Sequence, residues 1–240
     1  MLTIEHLTKH YKGSTKGVTD LSLHIAPGDI YAFIGHNGAG KTTTLKCVAG
    51  IHGFDAGIIR VGGIDISKEP LESKRQFAYI PDNPDLYEYL TGIQYLNFIA
   101  DVFEVSARER EQRIQTYADA FEITASLGDL ISTYSHGMKQ KLAIISALVH
   151  QPKLLILDEP FVGLDPKAAV ILKGIMRGIC DQGGAIFFST HVLDVAQKLC
   201  NKVAIIKDGK LILGSSQGLV FMEFDGPRPR EFYVNIVETK

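Results

Sequence analysis

The chain has 240 residues, 45% of them apolar, and its 27 acidic and 25 basic side chains leave a formal net charge of -2. That length holds one full core with at most a small inserted subdomain, and the apolar fraction excludes a disordered chain. The near-neutral balance excludes the basic field of a general nucleic-acid binder, so no nucleic-acid partner is expected. Three cysteines, Cys47, Cys180 and Cys200, are too few and too odd in number for a disulfide framework and fit a reducing cytosol. The opening residues MLTIEHLTKHY carry charges where a signal peptide needs an apolar stretch. The longest apolar run, Leu142 to Val149 broken by Ser146, falls well short of the roughly 20 residues of a membrane-spanning helix. Any membrane role is therefore expected to come through a partner.

In chain order, alternation in Leu2–Leu7 and Leu21–Ile25 predicts two half-exposed strands, and the turn Pro27-Gly28-Asp29 follows. Ile30–Ile34 is a short apolar run bounded by turn residues, which suits a buried strand. A glycine-rich loop comes next, and from Lys41 the pattern becomes helical. Ile58–Val61 reads as a strand ending at Gly62-Gly63, and Phe77–Ile80 as another stopped by Pro81. From Gly92, Leu96, Ile99, Val102 and Phe103 share one helical face, and a polar helix over Ala107–Phe121 follows. The stretch 85–150 is thus expected to be a helical insertion in an α/β core. Strands return at Leu154–Leu157 and Ala185–Phe188, alternating with helices over Pro166–Cys180 and Val192–Cys200, as in a parallel sheet wrapped by helices. Val203–Ile206 and Leu211–Leu213 flank Asp208-Gly209, a hairpin signal. Beyond Ser215 only Phe232, Val234 and Ile236 alternate like a strand, after the linker Pro227-Arg228-Pro229.

Two segments carry chemistry. Gly35-His36-Asn37-Gly38-Ala39-Gly40-Lys41-Thr42, with Thr43 after it, matches the G-x-x-x-x-G-K-[ST] phosphate loop between a strand and a helix. Glycines let the backbone curl so that successive N–H groups point at phosphate oxygens, and the following helix adds the positive end of its dipole. Lys41 supplies charge to the β- and γ-phosphates, and the Thr42 hydroxyl suits Mg²⁺. The apolar strand Leu154–Leu157 then ends in Asp158 and Glu159, placed where open α/β sheets bind ligands. Asp158 is expected to hold Mg²⁺, and Glu159 to orient and polarise an attacking water.

These two motifs fit many P-loop NTPases, and the stretch between them narrows the family. Tyr134-Ser135-His136-Gly137-Met138-Lys139-Gln140-Lys141 resembles the L-S-G-G-Q signature of ABC cassettes. Gly163-Leu164-Asp165-Pro166 resembles their D-loop and Ser189-Thr190-His191 their switch histidine. Tyr11 resembles the aromatic that stacks on adenine, the alternative being a surface aromatic. His191 has a plainer alternative too, a helix-start residue capped by Thr190. The resemblance runs from about residue 2 to 214, and the segment Pro81–Glu88 with SHGMKQK is most similar to bacterial Ecs-type and related exporter ATPases.

The resemblance implies an α/β fold: a P-loop NTPase core of the ABC cassette type (about 1–84 and 151–214). An N-terminal antiparallel β subdomain, an inserted helical signature subdomain (about 85–150) and a tail (about 215–240) complete it. It implies ATP and Mg²⁺ as ligands and a second nucleotide-binding domain, identical or not, packed head to tail. Ser135, His136, Gly137 and Met138 would then meet the γ-phosphate bound by the partner cassette, with Ser135 as N-cap of the helix that follows. His191 would contact the γ-phosphate and Asp165 would tie one site to the other. Three positions depart from the pattern: Asp82 stands where Gln is usual, His136 replaces Gly and Met138 replaces Gln. A carboxylate at Asp82 still suits Mg²⁺ or the water, and the backbone donors of the signature survive. A transmembrane permease is the implied partner, contacted by the Leu- and Tyr-rich segment Pro84–Leu90. The chain is thus expected to be peripheral on the cytoplasmic face of the membrane, serving export rather than import. Rival readings are a soluble cassette acting on ribosomes or DNA, and a non-hydrolysing regulator. The first is disfavoured by one cassette without coiled-coil inserts, the second by intact Lys41, Asp158, Glu159 and His191.

Overall fold

The computed structural model describes residues 1–13 and 16–213. The expected strand around Phe232, Val234 and Ile236 lies outside the described residues. Among the described residues, ten strands form two sheets. The first is four-stranded and antiparallel: β2 (Gly17–Ile25), β1 (Leu2–His10), β4 (Ala56–Val61) and the two-residue β5 (Ile64–Asp65). The second runs β10 (Lys210–Leu213), β9 (Lys202–Lys207), β3 (Ile30–Ile34), β8 (Ala185–Thr190), β7 (Leu154–Asp158) and β6 (Phe77–Ile80). All its pairings are parallel except the β9–β10 hairpin.

The six-stranded sheet is covered on both faces, which is why its strands read as unbroken apolar runs. In β3, Tyr31 and Phe33 face the antiparallel sheet, joining Leu2, Ile4, Ile59, Ile156 and Phe187. Ile30, Ala32 and Ile34 point the other way, into a core with Leu155, Leu157, Ile186 and Phe188. Helix α1 (Lys41–Val48) buries Leu45, Cys47 and Val48 on the first side. On the second side lie α3 (Gly92–Val102), α4 (Ala107–Ala120), α5 (His136–Leu148), α6 (Pro166–Asp181) and α7 (Leu193–Leu199). A short α2 (Pro70–Lys74), with proline in its first turn, precedes β6.

Helices α3, α4 and α5 all fall within 85–150. Their buried residues Leu96, Ile114 and Leu142 share one continuous core with the sheet residues Leu155 and Ile186. Local chemistry sets their ends. Thr91 and Gln94 form a reciprocal capping box at α3, Ser106 caps α4, and Ser135 caps α5 by accepting the Met138 N–H at 3.3 Å. No described helix is long and apolar enough to cross a membrane.

Two expectations need correction. Leu86, read as part of a partner-facing segment, is 7% exposed and belongs to the core. Thr190 is not the N-cap of the helix after His191. It ends β8, accepts the Val192 N–H at 3.0 Å in a local turn, and α7 starts only at Leu193 with no side-chain cap.

Candidate functional site

The C-terminal ends of β3, β7 and β8 meet at one place. Parallel register aligns Ile34 with Thr190 and Asp158 with Ser189, so whatever follows each strand emerges side by side. After β3 the loop Gly35–Gly40 curls into α1. At Gly40 the backbone has φ 111°, and a Cβ there would stand 2.8 Å from the Val18 side chain, so only glycine fits. No side chain caps α1 and none of its first-turn residues is acidic. Its free N–H groups and dipole therefore remain available to an anion.

Lys41 is 5% exposed, and its Nζ donates to the Gly35 carbonyl at 2.6 Å and the His36 carbonyl at 3.3 Å. It also stands 3.5 Å from Glu159 Oε1. The ammonium is thus poised beside the loop, balanced by carbonyl dipoles and one carboxylate. Asp158, at the end of β7, is 1% exposed. Its Oδ1 accepts from the Ser189 hydroxyl, while Oδ2 is buried with no hydrogen-bond partner. Burial pushes the Asp158 pKa above the usual carboxylate range. The Ser189 and Thr42 hydroxyls oppose that shift, and the charges of Asp82 and Glu159 add to it.

Glu159 has φ 47°, a left-handed backbone that costs a non-glycine residue about 1–3 kcal/mol. The turn is held by the Glu159 N–H on Ser189 Oγ at 3.0 Å and the Val162 N–H on the Glu159 carbonyl at 3.1 Å. The result is to aim the carboxylate at Lys41 on one side and at His191 Nδ1, 3.0 Å away, on the other.

Lys41, Asp158 and Glu159 face a cleft of about 390 Å³, lined also by Tyr11, Asn37, Gly38, Gly40, Thr42, Thr43 and Asp82, and His191 meets it only through Glu159. Lys16 and Gly17, at the start of β2, line it too and were not singled out from sequence; nothing in a Lys-Gly pair marks it. The Tyr11 hydroxyl lies 3.4 Å from Thr43 Oγ1, with His52 edge-on to the ring at 6.0 Å between centroids. Gly35, His36 and Ala39 do not line the cleft. The His36 ring turns to Asp208, 3.7 Å away, and Ala39 is buried in the core.

The signature residues stand apart from this cleft. Ser135 and His136 are exposed at the start of α5, and Gly137 and Met138 are half-buried. The His136 ring lies against Gly163, where a Cβ would meet it at 2.5 Å. Asp165 is committed within its own chain: Oδ1 caps α6 through the Ala168 N–H at 2.8 Å, and Oδ2 pairs with Lys141 at 2.8 Å. These contacts hold its carboxyl below the usual range.

The family model of ABC transporters matches residues 18–162, which span the phosphate loop, the signature and both carboxylates. This chain belongs to the ABC transporter family, as an ATP-binding protein. It is 34% identical over 88% of its length, and 68% of the relative's, to the uncharacterized ABC transporter ATP-binding protein YhcH of Bacillus subtilis. It is 32% identical to the linearmycin resistance ATP-binding protein LnrL of the same organism, over 88% of this chain and 68% of that one. To the ABC-type transporter ATP-binding protein EcsA, also of Bacillus subtilis, it is 33% identical over 88% and 85%. Among solved structures, an ATP-binding subunit of an ABC transporter superposes with a TM-score of 0.84 at 35% identity, covering 88% of each chain. The expected cassette fold, with its antiparallel sheet, mixed sheet and helices, is therefore the observed one. A second model, of UPF0047 YjbQ-like proteins, matches residues 189–239, most of which lie outside the described residues.

Proposed function

We propose that this chain is the ATP-hydrolysing subunit of an ABC transporter that energises a separate transmembrane permease. The observation that carries the hydrolytic part is the convergence of Lys41, Asp158 and Glu159 on one cleft at the strand ends, with His191 joined to it through Glu159. A nucleoside triphosphate seats its phosphates on the amides of Gly38 and Gly40–Thr43, with the base near Tyr11. Lys41 then exchanges the Gly35 carbonyl for phosphate oxygens and leaves Glu159 paired to His191 alone. Glu159 orients a water and takes its proton as the oxygen bonds to the γ-phosphorus and the bridge to the β-phosphate breaks. His191, on an exposed turn, contacts the γ-phosphate.

The donor set fits Mg²⁺. A buried carboxylate oxygen without a partner, a hydroxyl beside it and a second carboxylate at the rim are the hard oxygen ligands that this ion takes, here Asp158, Thr42 and Asp82. When bound, Mg²⁺ would offset the negative charge of the phosphates.

Because the signature lies away from its own cleft, we place Ser135, His136, Gly137 and Met138 on the nucleotide of a second cassette packed head to tail. Asp165 then acts through its hold on Lys141, transmitting between the D-loop and the signature helix. The helical signature subdomain is taken as 85–150 and the core as 1–84 and 151–214. Export is favoured by the likeness to a resistance ATP-binding protein. The permease is met by an aromatic patch. Tyr87, Tyr89 and Phe98 are 44%, 75% and 43% exposed; the Tyr87 ring stacks on Tyr89 at 5.9 Å between centroids and lies tilted against Phe98 at 5.7 Å. An exposed aromatic cluster of this kind marks an interaction site. It would hold the chain on the cytoplasmic membrane face. The double variant Tyr87→Ala/Tyr89→Ala is expected to leave ATP binding intact and to lose recovery with the membrane fraction of cells. Unchanged recovery would remove the patch from the account.

A further inference from the structure

We propose that Gly209, in the β9–β10 turn and outside the cleft, is a positioning residue that sets the spacing between the cleft's two walls and thereby its nucleotide affinity. One wall is the phosphate loop. The other is the start of β2, where Lys16 and Gly17 line the same cleft. Gly209 joins them through its backbone. Its N–H donates to the Ala39 carbonyl at 2.9 Å, and its own carbonyl accepts the Thr19 N–H at 2.8 Å. The first bond holds the phosphate loop from behind, and the second holds β2.

The crossing is tight. Asp208 and Gly209 have φ 49° and 76°, the positive pair that a two-residue hairpin of type I′ requires between the partnered Lys207 and Lys210. A Cβ on Gly209 would stand 2.5 Å from the Gly17 carbonyl oxygen, and that atom is backbone and cannot rotate away. The same carbonyl lies 3.1 Å from where a Gly40 Cβ would be, and Ile206 of β9 fills the space beside Gly35 and Gly40. A methyl group at 209 therefore forces apart Gly17 on one wall and the turn that holds the phosphate loop through Ala39. Asp208 adds a side-chain link, 3.7 Å from His36 Nε2 of the loop. Sites that must be held to within a fraction of an ångström depend on such supporting contacts.

The inference rests on the reading that nucleotide binds this cleft, and the test separates the two. Binding of ADP with Mg²⁺ is measured by calorimetry on wild type, Gly209→Ala and Gly63→Ala. Gly63 has the same kind of backbone, φ 85°, in a turn with nothing within 4 Å of an added Cβ, so its variant carries the left-handed strain without the collision. Gly209→Ala is expected to weaken binding about tenfold or more, and Gly63→Ala to leave it within about twofold. Equal affinity of Gly209→Ala and wild type, or equal weakening in both variants, overturns the proposal. Failure of wild type to bind refutes the functional reading instead. Should Gly209→Ala not fold, amide hydrogen exchange on wild type decides. Nucleotide is expected to slow exchange at Gly209 although it does not line the cleft, and an unchanged rate there overturns the proposal.

Discussion

Replacing Asp158 by Asn is expected to stabilise the ligand-free protein while removing its response to nucleotide. The carboxylate is 1% exposed, one oxygen has no partner, and the charges of Asp82 and Glu159 oppose its ionisation. Leaving a buried polar group unsatisfied costs on the order of 1–3 kcal/mol, and more when it is charged, so a neutral amide recovers about 1–2 kcal/mol. The Ser189 hydroxyl can still donate to the amide oxygen. For a chain of this size that gain corresponds to roughly 2–8 °C in Tm. The sign with pH follows from the raised pKa. The folded state binds this proton more readily than the unfolded one, so wild-type stability falls as pH climbs through the window above the usual aspartate value. The advantage of the variant is therefore greatest at neutral pH and shrinks below that window. With ATP and Mg²⁺ at about 100 times Kd, wild type gains roughly 2.7 kcal/mol and the variant little, so the order of melting reverses. Thermal unfolding at pH 7.5 and at acid pH, with and without ligand, reads all of this. An Asp158→Asn variant that melts below wild type without ligand, or that keeps the full ligand gain, refutes the reasoning.

Burial of His150 against Phe103, with ring centroids 3.7 Å apart, pushes its pKa down to about 4. Its contribution to stability is whole above the ordinary value near 6.5 and is lost as pH falls toward 4, to at most about 3 kcal/mol. His150→Phe is expected to flatten the unfolding free energy between those limits in denaturant titrations. Ser135→Ala removes the cap of α5, at a cost of about 1 kcal/mol in unfolding, and is expected to abolish ATP-dependent dimerisation by light scattering while single-chain ATP binding persists.

The phosphate loop was legible because its spacing, its preceding buried strand and its following helix are all local in sequence. Asp158 and Glu159 were legible for the same reason, as the end of an apolar strand. What local pattern missed came from distant packing. Lys16 and Gly17 reach the cleft only because the first sheet folds over the second. Leu86 has the same neighbours in sequence as Tyr87, yet the core takes one and leaves the other exposed. Thr190 has the chemistry of an N-cap, but parallel pairing with Ile34 carries β8 through it, and the helix starts later. The Gly163-Leu164-Asp165-Pro166 pattern marks Asp165 as a loop aspartate, but its engagement by Lys141 depends on where α5 lies. The short β5 and α2 are too brief to impose a periodicity.

The most direct test is ATP turnover by the purified protein, wild type against Glu159→Gln, with association state followed in the same samples. The account predicts turnover by wild type, with a fall of at least about 100-fold in the variant and accumulation of an ATP-bound dimer. A variant that hydrolyses ATP as fast as wild type, or that stays monomeric with ATP bound, contradicts it.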